Sequence, residues 1–373
     1  MKSMTMKERF LATLRFDELD RPWRFETLGY WEETIERWHN EGLPRYVFNA
    51  TVAVPYFGID FWVPIWIGAH EDPGFFPHFI PKVLSREENF EIVRDFAGKT
   101  FKQFRDGSSS IPQHVDSPVK TMRDFKRMRW RLNPDFPGRC DNPVWDSAVL
   151  ASKVLKAPLG IHFSGLFGFH RHLIGVESLM YKYFDDPELI HAMGRRWADL
   201  TKGVVRRISR KGEVNVLIFW EDMSFKSGPL ISPNTFRQFL TPYYKEVIDD
   251  ARECGVECFT VDTDGDCTLL IPLFVEVGVN CMYPFEVQAG MDIRKVRADW
   301  GTQLMIMGGL NKRALENTKE EIEQEVMLKV PEMLRQGGYV PGIDHAVHPD
   351  VPFENFKYFV KMLRDSKWPG VCG

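Results

Sequence analysis

From Ala157 onward the chain repeats one pattern six times, a short apolar run followed by a longer stretch with helical spacing. The runs are APLGIHFSG, VNVLIFWED, VECFTVDTDGD, VNCMYPFE, QLMIMGGL and GGYVPGIDH. The intervening stretches, such as PELIHAMGRRWADLTKGVVRRISRKG and SPNTFRQFLTPYYKEVIDDARECG, often start after Ser, Thr or Asp and end in Gly, as helix caps require. Strands alternating with helices in this way spell a parallel sheet. With two further units from the first half they predict an α/β fold, a (β/α)8 TIM barrel with an N-terminal extension over residues 1–50. An open doubly wound sheet is the alternative, disfavoured because no G-x-G-x-x-G follows an early strand.

Residues 1–150 have another character, rich in Trp, Phe and Pro, with segments such as FWVPIWIG and EDPGFFPHFIPKV that read as short strands and aromatic loops. No short sequence repeat, low-complexity tract or long Ser/Gly linker divides the 373 residues, so one domain over 1–373 is expected. At 44% hydrophobic the chain can bury a large core, and 48 Lys+Arg against 52 Asp+Glu leave no basic field for nucleic acid. No apolar run reaches the roughly 20 residues of a membrane span, and the start, MKSMTMKERFLATLRF, lacks a signal peptide's apolar core; a cytoplasmic protein is expected. Six cysteines are too few for a disulfide scaffold. Cys254, Cys258, Cys267 and Cys281 form no C-x-x-C and read as small buried or inert thiols.

Active sites of parallel α/β folds form at the C-terminal strand ends, and here those ends are acidic. VNVLIFW runs into Glu221 and Asp222, VECFTV into Asp262, Asp264 and Asp266, VNCMYPF into Glu286, and GGYVPGI into Asp344 and His345, while His162 lies within APLGIHFSG. An N-cap role accounts for Asp266 alone. So many carboxylates around one mouth repel each other unless a cation, a basic substrate or shared protons offset the cost. A calcium loop is excluded, since Gly265 comes too early in D-T-D-G-D. Alternation in an extended segment puts Asp262, Asp264 and Asp266 on one side. His345 fits a general acid, a ligand or a core donor, and His348 reads as a loop residue. His170 and His172 beside Arg171 form either a cationic wall or a solvated helix start. Asn311 and Lys312 are placed to meet a polar substrate group, Lys226 and Arg313 read as solvated, and Trp62, Trp66, Phe75 and Phe76 suggest a lid, at least half of it core.

The segments Trp220–Lys245, Val261–Asp266 and Gly337–Asn355 together resemble the uroporphyrinogen decarboxylase superfamily, which includes cobalamin-dependent methyltransferases; residues 157–365 carry the likeness best. The resemblance implies a single (β/α)8 barrel and an enzyme. True decarboxylases carry M-R-Q-A-G-R-Y near the start, with arginines for the substrate's carboxylates. Here the stretch reads F-E-T-L-G-Y-W, with Glu26 and Tyr30 in place of arginines. Methyltransferases of this branch bind zinc through H-x-C and a late cysteine; the matching positions are Asp262-Thr263-Asp264 and His345. Thiolate ligation is thereby lost. The resemblance implies Asp262, Asp264 and His345 as ligands of a divalent metal such as zinc, or as acid/base groups.

Three functions follow. The first is a methyltransferase-like enzyme that moves a methyl group between a small molecule and a corrinoid. Its catalytic set is Asp262, Asp264, His345 and Glu221, with His162, Glu286, Asn311, Lys312 and Asp344 around the substrate. Since the Asp-x-His-x-x-Gly signature is absent, the corrinoid is expected on a partner protein. The second is decarboxylation of a tetrapyrrole or another carboxylated compound, with His345 and an acid as proton donors. The third is a non-catalytic ligand-binding barrel. The resemblance also implies a homodimer.

Overall fold

The computed structural model describes residues 3–26, 28–68, 72–105, 113–365 and 368. Thr27, Glu71 at the head of EDPGFFPHFIPKV and the sixth cysteine, Cys372, lie outside them. The chain opens with helices α1 (Met6–Leu14), α2 (Glu32–Asn40) and α3 (Ala50–Phe57), followed by strand β1 (Val63–Trp66). A four-stranded antiparallel meander follows: β2 (Lys82–Arg86), β3 (Phe90–Arg94), β4 (Thr100–Phe104) and β5 (Gln113–Asp116). After α4 (Met122–Met128) and α5 (Pro143–Leu155) come β6 (Leu159–Ser164), α6 (Leu166–Ile174) and β7 (Val216–Trp220). The hairpin β8 (Ser224–Phe225) and β9 (Gly228–Pro229) precedes β10 (Cys258–Thr263), β11 (Cys281–Pro284), β12 (Met305–Met307) and β13 (Tyr339–Val340).

Seven strands pair in parallel in the order β1-β6-β7-β10-β11-β12-β13, so each of the six apolar runs is a strand and FWVPIWIG supplies a seventh. The sheet closes into a TIM barrel. Its two ends share one interior cluster, in which Trp62, just before β1, meets Val216 and Ile218 of β7, Cys258, Cys281 and Tyr283 of β10 and β11, Met305 and Met307 of β12, and Val340 of β13. The eighth position is held by the segment around Trp23–Phe25 rather than by a ladder strand. The Arg24 carbonyl accepts from the Asp60 amide at 2.7 Å on the β1 side, and a Cβ on Gly342, beyond β13, would lie 3.0 Å from the Phe25 carbonyl oxygen. The second expected unit of the first half is therefore an aromatic segment whose rings fill the place of a strand.

Helix α1 shuts the opposite, N-terminal end. Thr5 and Glu8 form a capping box, and the Lys7 amide donates to the Lys156 carbonyl at 2.8 Å just ahead of β6. Phe10 and Leu14 then point into the interior cluster, where Phe10 packs on Trp23 at 5.0 Å. The helices pack outside the barrel on a second apolar layer. No helix among the described residues is long and apolar enough to cross a membrane. Cys140, Cys258, Cys267 and Cys281 are buried free thiols, and Cys254 is half-buried.

Phe10 is fully buried at the foot of the lumen. Phe10→Ala is expected to lower the unfolding free energy by ~3–5 kcal/mol in a urea titration followed by far-UV circular dichroism. A loss near zero would remove α1 from any part in closing the barrel.

Candidate active site

Strand alternation decides which side chains meet at the mouth. In β7, Val216, Ile218 and Trp220 face the lumen, while Leu217 and Phe219 pack on the helices. In β10, Cys258 and Asp262 face inward, and Phe259 and Val261 outward. Asp262 stands in register with Trp220 on one side and Tyr283 on the other, so the carboxyl lies between two aromatic neighbours. Trp66 and His162 are likewise paired in register, their rings stacked at 3.9 Å. These residues enclose a cavity of about 590 Å³ at the C-terminal ends of the strands. Phe25, Leu28, Trp31, Trp62 and Ala346 complete its apolar wall, and its polar groups are His162, Asp262, Asp264 and His345.

Of the polar residues singled out in the sequence, these four reach the cavity. Asp262 is 8% exposed and, among the described residues, accepts no hydrogen bond on its carboxyl group. Burial, then the charges of Asp264 and Asp222, push its pKa well above the ordinary carboxylate range. Asp264 is pushed up to about 7 by burial and by Asp222, Glu286 and Asp344, against the opposing pull of Lys312. Its Oδ1 is buried without a partner, and its Oδ2 lies 3.8 Å from His345 Nε2. Burial, reinforced by Lys312, lowers the pKa of His345. His162 falls to about 3 through burial, and its Nε2 accepts from Trp62 Nε1–H at 3.1 Å. Both imidazoles are therefore uncharged at neutral pH.

The remaining candidates hold the mouth together from outside the cavity. Glu221 follows the outward parity of Leu217 and Phe219. It is fully buried under α6, where it accepts from the Gly168 amide at 2.8 Å and from the Tyr244 hydroxyl. Burial raises its pKa to about 7 despite those bonds and those of the Phe167 and Leu166 amides. A Cβ on Gly165 would lie 2.3 Å from Glu221 Cδ, so that position admits only glycine. Asp344 accepts from the amides of Val287 at 2.7 Å and Lys312 at 2.8 Å, tying three strand ends together. Glu286 accepts from the Gly265 amide at 3.2 Å and pairs with Lys312 Nζ at 3.4 Å, fixing the loop that carries Asp264. Asn311 faces away, its Oδ1 taking Gln288 Nε2–H at 3.2 Å. Asp266 caps the following turn through the Thr268 amide at 3.0 Å.

Other expectations are corrected. His170 is fully buried with its pKa lowered to about 3, and Arg171 is paired with Asp222, so this stretch is neither a cationic wall nor a solvated helix start. Trp62 and Trp66 border the cavity, whereas Phe75 is core and Phe76 packs on Phe136. Asp262, Asp264 and His345 do not converge as a ligand triad. Among the described residues no group of three or more His, Cys, Asp or Glu side chains is placed to hold a metal ion. The sequence reading did not single out Phe25, Trp31, Trp220 or Tyr283. The parity of β7 and β11 marks the last two as inward, but nothing periodic marks the first two.

Residues 103–366, over half of the chain, match the profile of the family described as uroporphyrinogen decarboxylase (URO-D), and the chain belongs to that family. It is 24% identical over 264 residues to the uroporphyrinogen decarboxylase of Chlorobium luteolum, spanning 67% of this chain and 71% of that one. The enzyme of the same name from Pelodictyon phaeoclathratiforme is 21% identical over 266 residues, with 67% and 71% covered. Among solved structures, a methyltransferase from Methanosarcina mazei shares the fold at a TM-score of 0.63 and 16% identity, over 97% of this chain and 99% of that one. The chain is thus a divergent member of a family of barrel enzymes.

Lys312 lowers and Glu286 raises the pKa of Asp264. In a carbon-13 NMR titration of labelled aspartates, Asp264 is expected to titrate near 7, at higher pH in Lys312→Met and at lower pH in Glu286→Gln. A resonance that stays at the ordinary carboxylate value in all three proteins would refute the electrostatic account of the mouth.

Proposed function

We propose that this chain moves a methyl group between a small methylated compound held at the barrel mouth and a corrinoid carried on a partner protein. The supporting observation is the cavity lining, in which aromatic rings, two carboxyls and two uncharged imidazoles occur without any lysine or arginine among the described residues. A tetrapyrrole with many carboxylates would surrender hydration there for no counter-charge. A compact methylated compound instead buries apolar surface against the rings. The corrinoid would supply the partner atom for the methyl group, and the exposed rings of Trp31 and Trp66 at the rim offer an apolar surface for its approach.

The residues of this chain then have separate tasks. In transfer to a nucleophile the methyl carbon leaves without its bonding pair and carries positive charge in flight. An ionised Asp264 beside it stabilises that charge, and the surrounding rings exclude the water that would screen it. Burial raises the pKa of Asp262 well above the ordinary carboxylate range, and sharing of protons between the two acids relieves their repulsion. Glu286, Lys312 and Asp344 position the loops.

Decarboxylation is the second reading, favoured by the burial that raises the pKa of Asp262 well above the ordinary carboxylate range. Loss of carbon dioxide leaves a carbanion that must take up a proton, so it calls for the acid form.

The two readings predict opposite pH slopes. Asp264 gains its charge as pH rises through about 7, so methyl transfer to or from a corrinoid protein should accelerate across that range. Asp264→Asn should be slower by roughly 10²-fold with the step near 7 abolished. A rate that falls through the same range, with carbon dioxide released from a carboxylated compound, would overturn methyl transfer in favour of decarboxylation.

A further inference from the structure

We infer that the compound taken by this cavity is a methylated onium cation, a quaternary ammonium or a sulfonium ion. The inference rests on the methyl-transfer reading and adds the charge of the substrate to it. Three observations carry it: the rings, the unpaired acids, and the engagement of the nearby cations elsewhere.

The rings come from separate parts of the barrel. Trp62 and Tyr283 belong to the interior cluster beneath the cavity, Trp220 stands on β7, and Trp31 and Trp66 form the rim at 47% and 58% exposure. Aromatic faces carry negative potential, and a cation that spreads its charge over methyl groups meets them without needing hydrogen-bond acceptors. Asp262, between the register positions of Trp220 and Tyr283, is more than nine-tenths buried and, among the described residues, has neither a hydrogen bond nor a cationic partner on its carboxyl group. Asp264 Oδ1 is also buried and unpartnered. Lys312 is engaged by Glu286 at 3.4 Å and Arg171 by Asp222, and neither lines the cavity. A wall of this composition rejects anions and leaves a place for a cation.

The chemistry agrees with the occupants of the site. The carbon–nitrogen or carbon–sulfur bond of the onium ion breaks, and its electron pair remains on the heteroatom, which departs as a neutral amine or sulfide. A reduced corrinoid on the partner would supply the electron pair that accepts the methyl group. No proton is needed for departure, as fits two uncharged imidazoles.

Choline and 3,3-dimethylbutan-1-ol have the same shape and differ in charge, and their binding to the full chain can be followed by tryptophan fluorescence and calorimetry. Choline is expected to bind at least about ten-fold more tightly than the alcohol. Trp66→Leu, a change at the exposed rim, should weaken choline several-fold with the circular dichroism spectrum unchanged. Asp264→Asn should weaken choline while leaving the alcohol unaffected. Equal affinities for the two compounds, or no binding of either, would overturn the onium assignment. If a neutral methyl ether then proved to be a methyl donor to a corrinoid protein, the methyl-transfer reading would stand without it. Selective choline binding with no methyl transfer to a corrinoid protein from any onium ion or neutral methyl compound would uphold the binding inference and reject that reading.

Discussion

Closure of the barrel around a filled lumen is the constraint on which the rest depends. Seven parallel strands leave a gap between β13 and β1, and a sheet with two unpaired edges would expose backbone donors and acceptors along both. The gap is covered by Trp23, Phe25 and Trp62, with Trp23 stacked on Phe25 at 4.9 Å and Phe25 against Trp62 at 4.3 Å. Phe10 and Leu14 of α1 fill the foot of the same lumen. The interior thus ends in rings rather than in a strand ladder, and the cavity begins where those rings stop.

That closure sets the electrostatics of the mouth. The acids at the ends of β10 and beyond β13 are shielded from water by rings and loops, so desolvation outweighs every other influence on Asp262, Asp264 and Asp344. Each acid finds a different compromise. Asp344 takes two backbone amides, Glu286 takes an amide and a lysine, and Glu221 takes a tyrosine and the amino end of α6. Only Asp262 and Asp264 face the cavity without such partners, so their raised affinity for protons acts at the cavity wall itself.

Much of this was legible in the sequence where one period governs the chain. The six apolar runs located six strands because buried parallel strands are continuous in hydrophobicity. The same period also separates neighbours, since in VLIFWE the lumen-facing Val216, Ile218 and Trp220 leave Glu221 on the helix side with Leu217 and Phe219. Beyond a strand end the rule lapses. At Gly308 and Gly309 the backbone takes positive φ angles of 85° and 76°, which re-aims Asn311 and Lys312 in a way no alternation foretells. The meander β2–β5 was hidden for another reason. Its strands are short and largely exposed, as in KVLSR, so they carry no apolar alternation to detect. Phe25 and Trp31 lie outside the strands, on segments that only the folded barrel brings to the mouth.

The two halves of the chain therefore contribute different physics to one site. The strand ends of the second half bring Asp262, Asp264 and His345, and the irregular first half brings most of the rings that surround them. Neither has the same chemistry alone. A carboxyl at a strand end in open water is an ordinary acid, and an aromatic cluster without charge is a nonspecific apolar surface. Held together in a cavity of about 590 Å³, the rings raise the acids' affinity for protons, and the acids give the apolar wall a preference for positive charge. Glu26 and Tyr30 do not line that cavity, whose rings include those of Trp31, Trp62, Trp66 and Trp220.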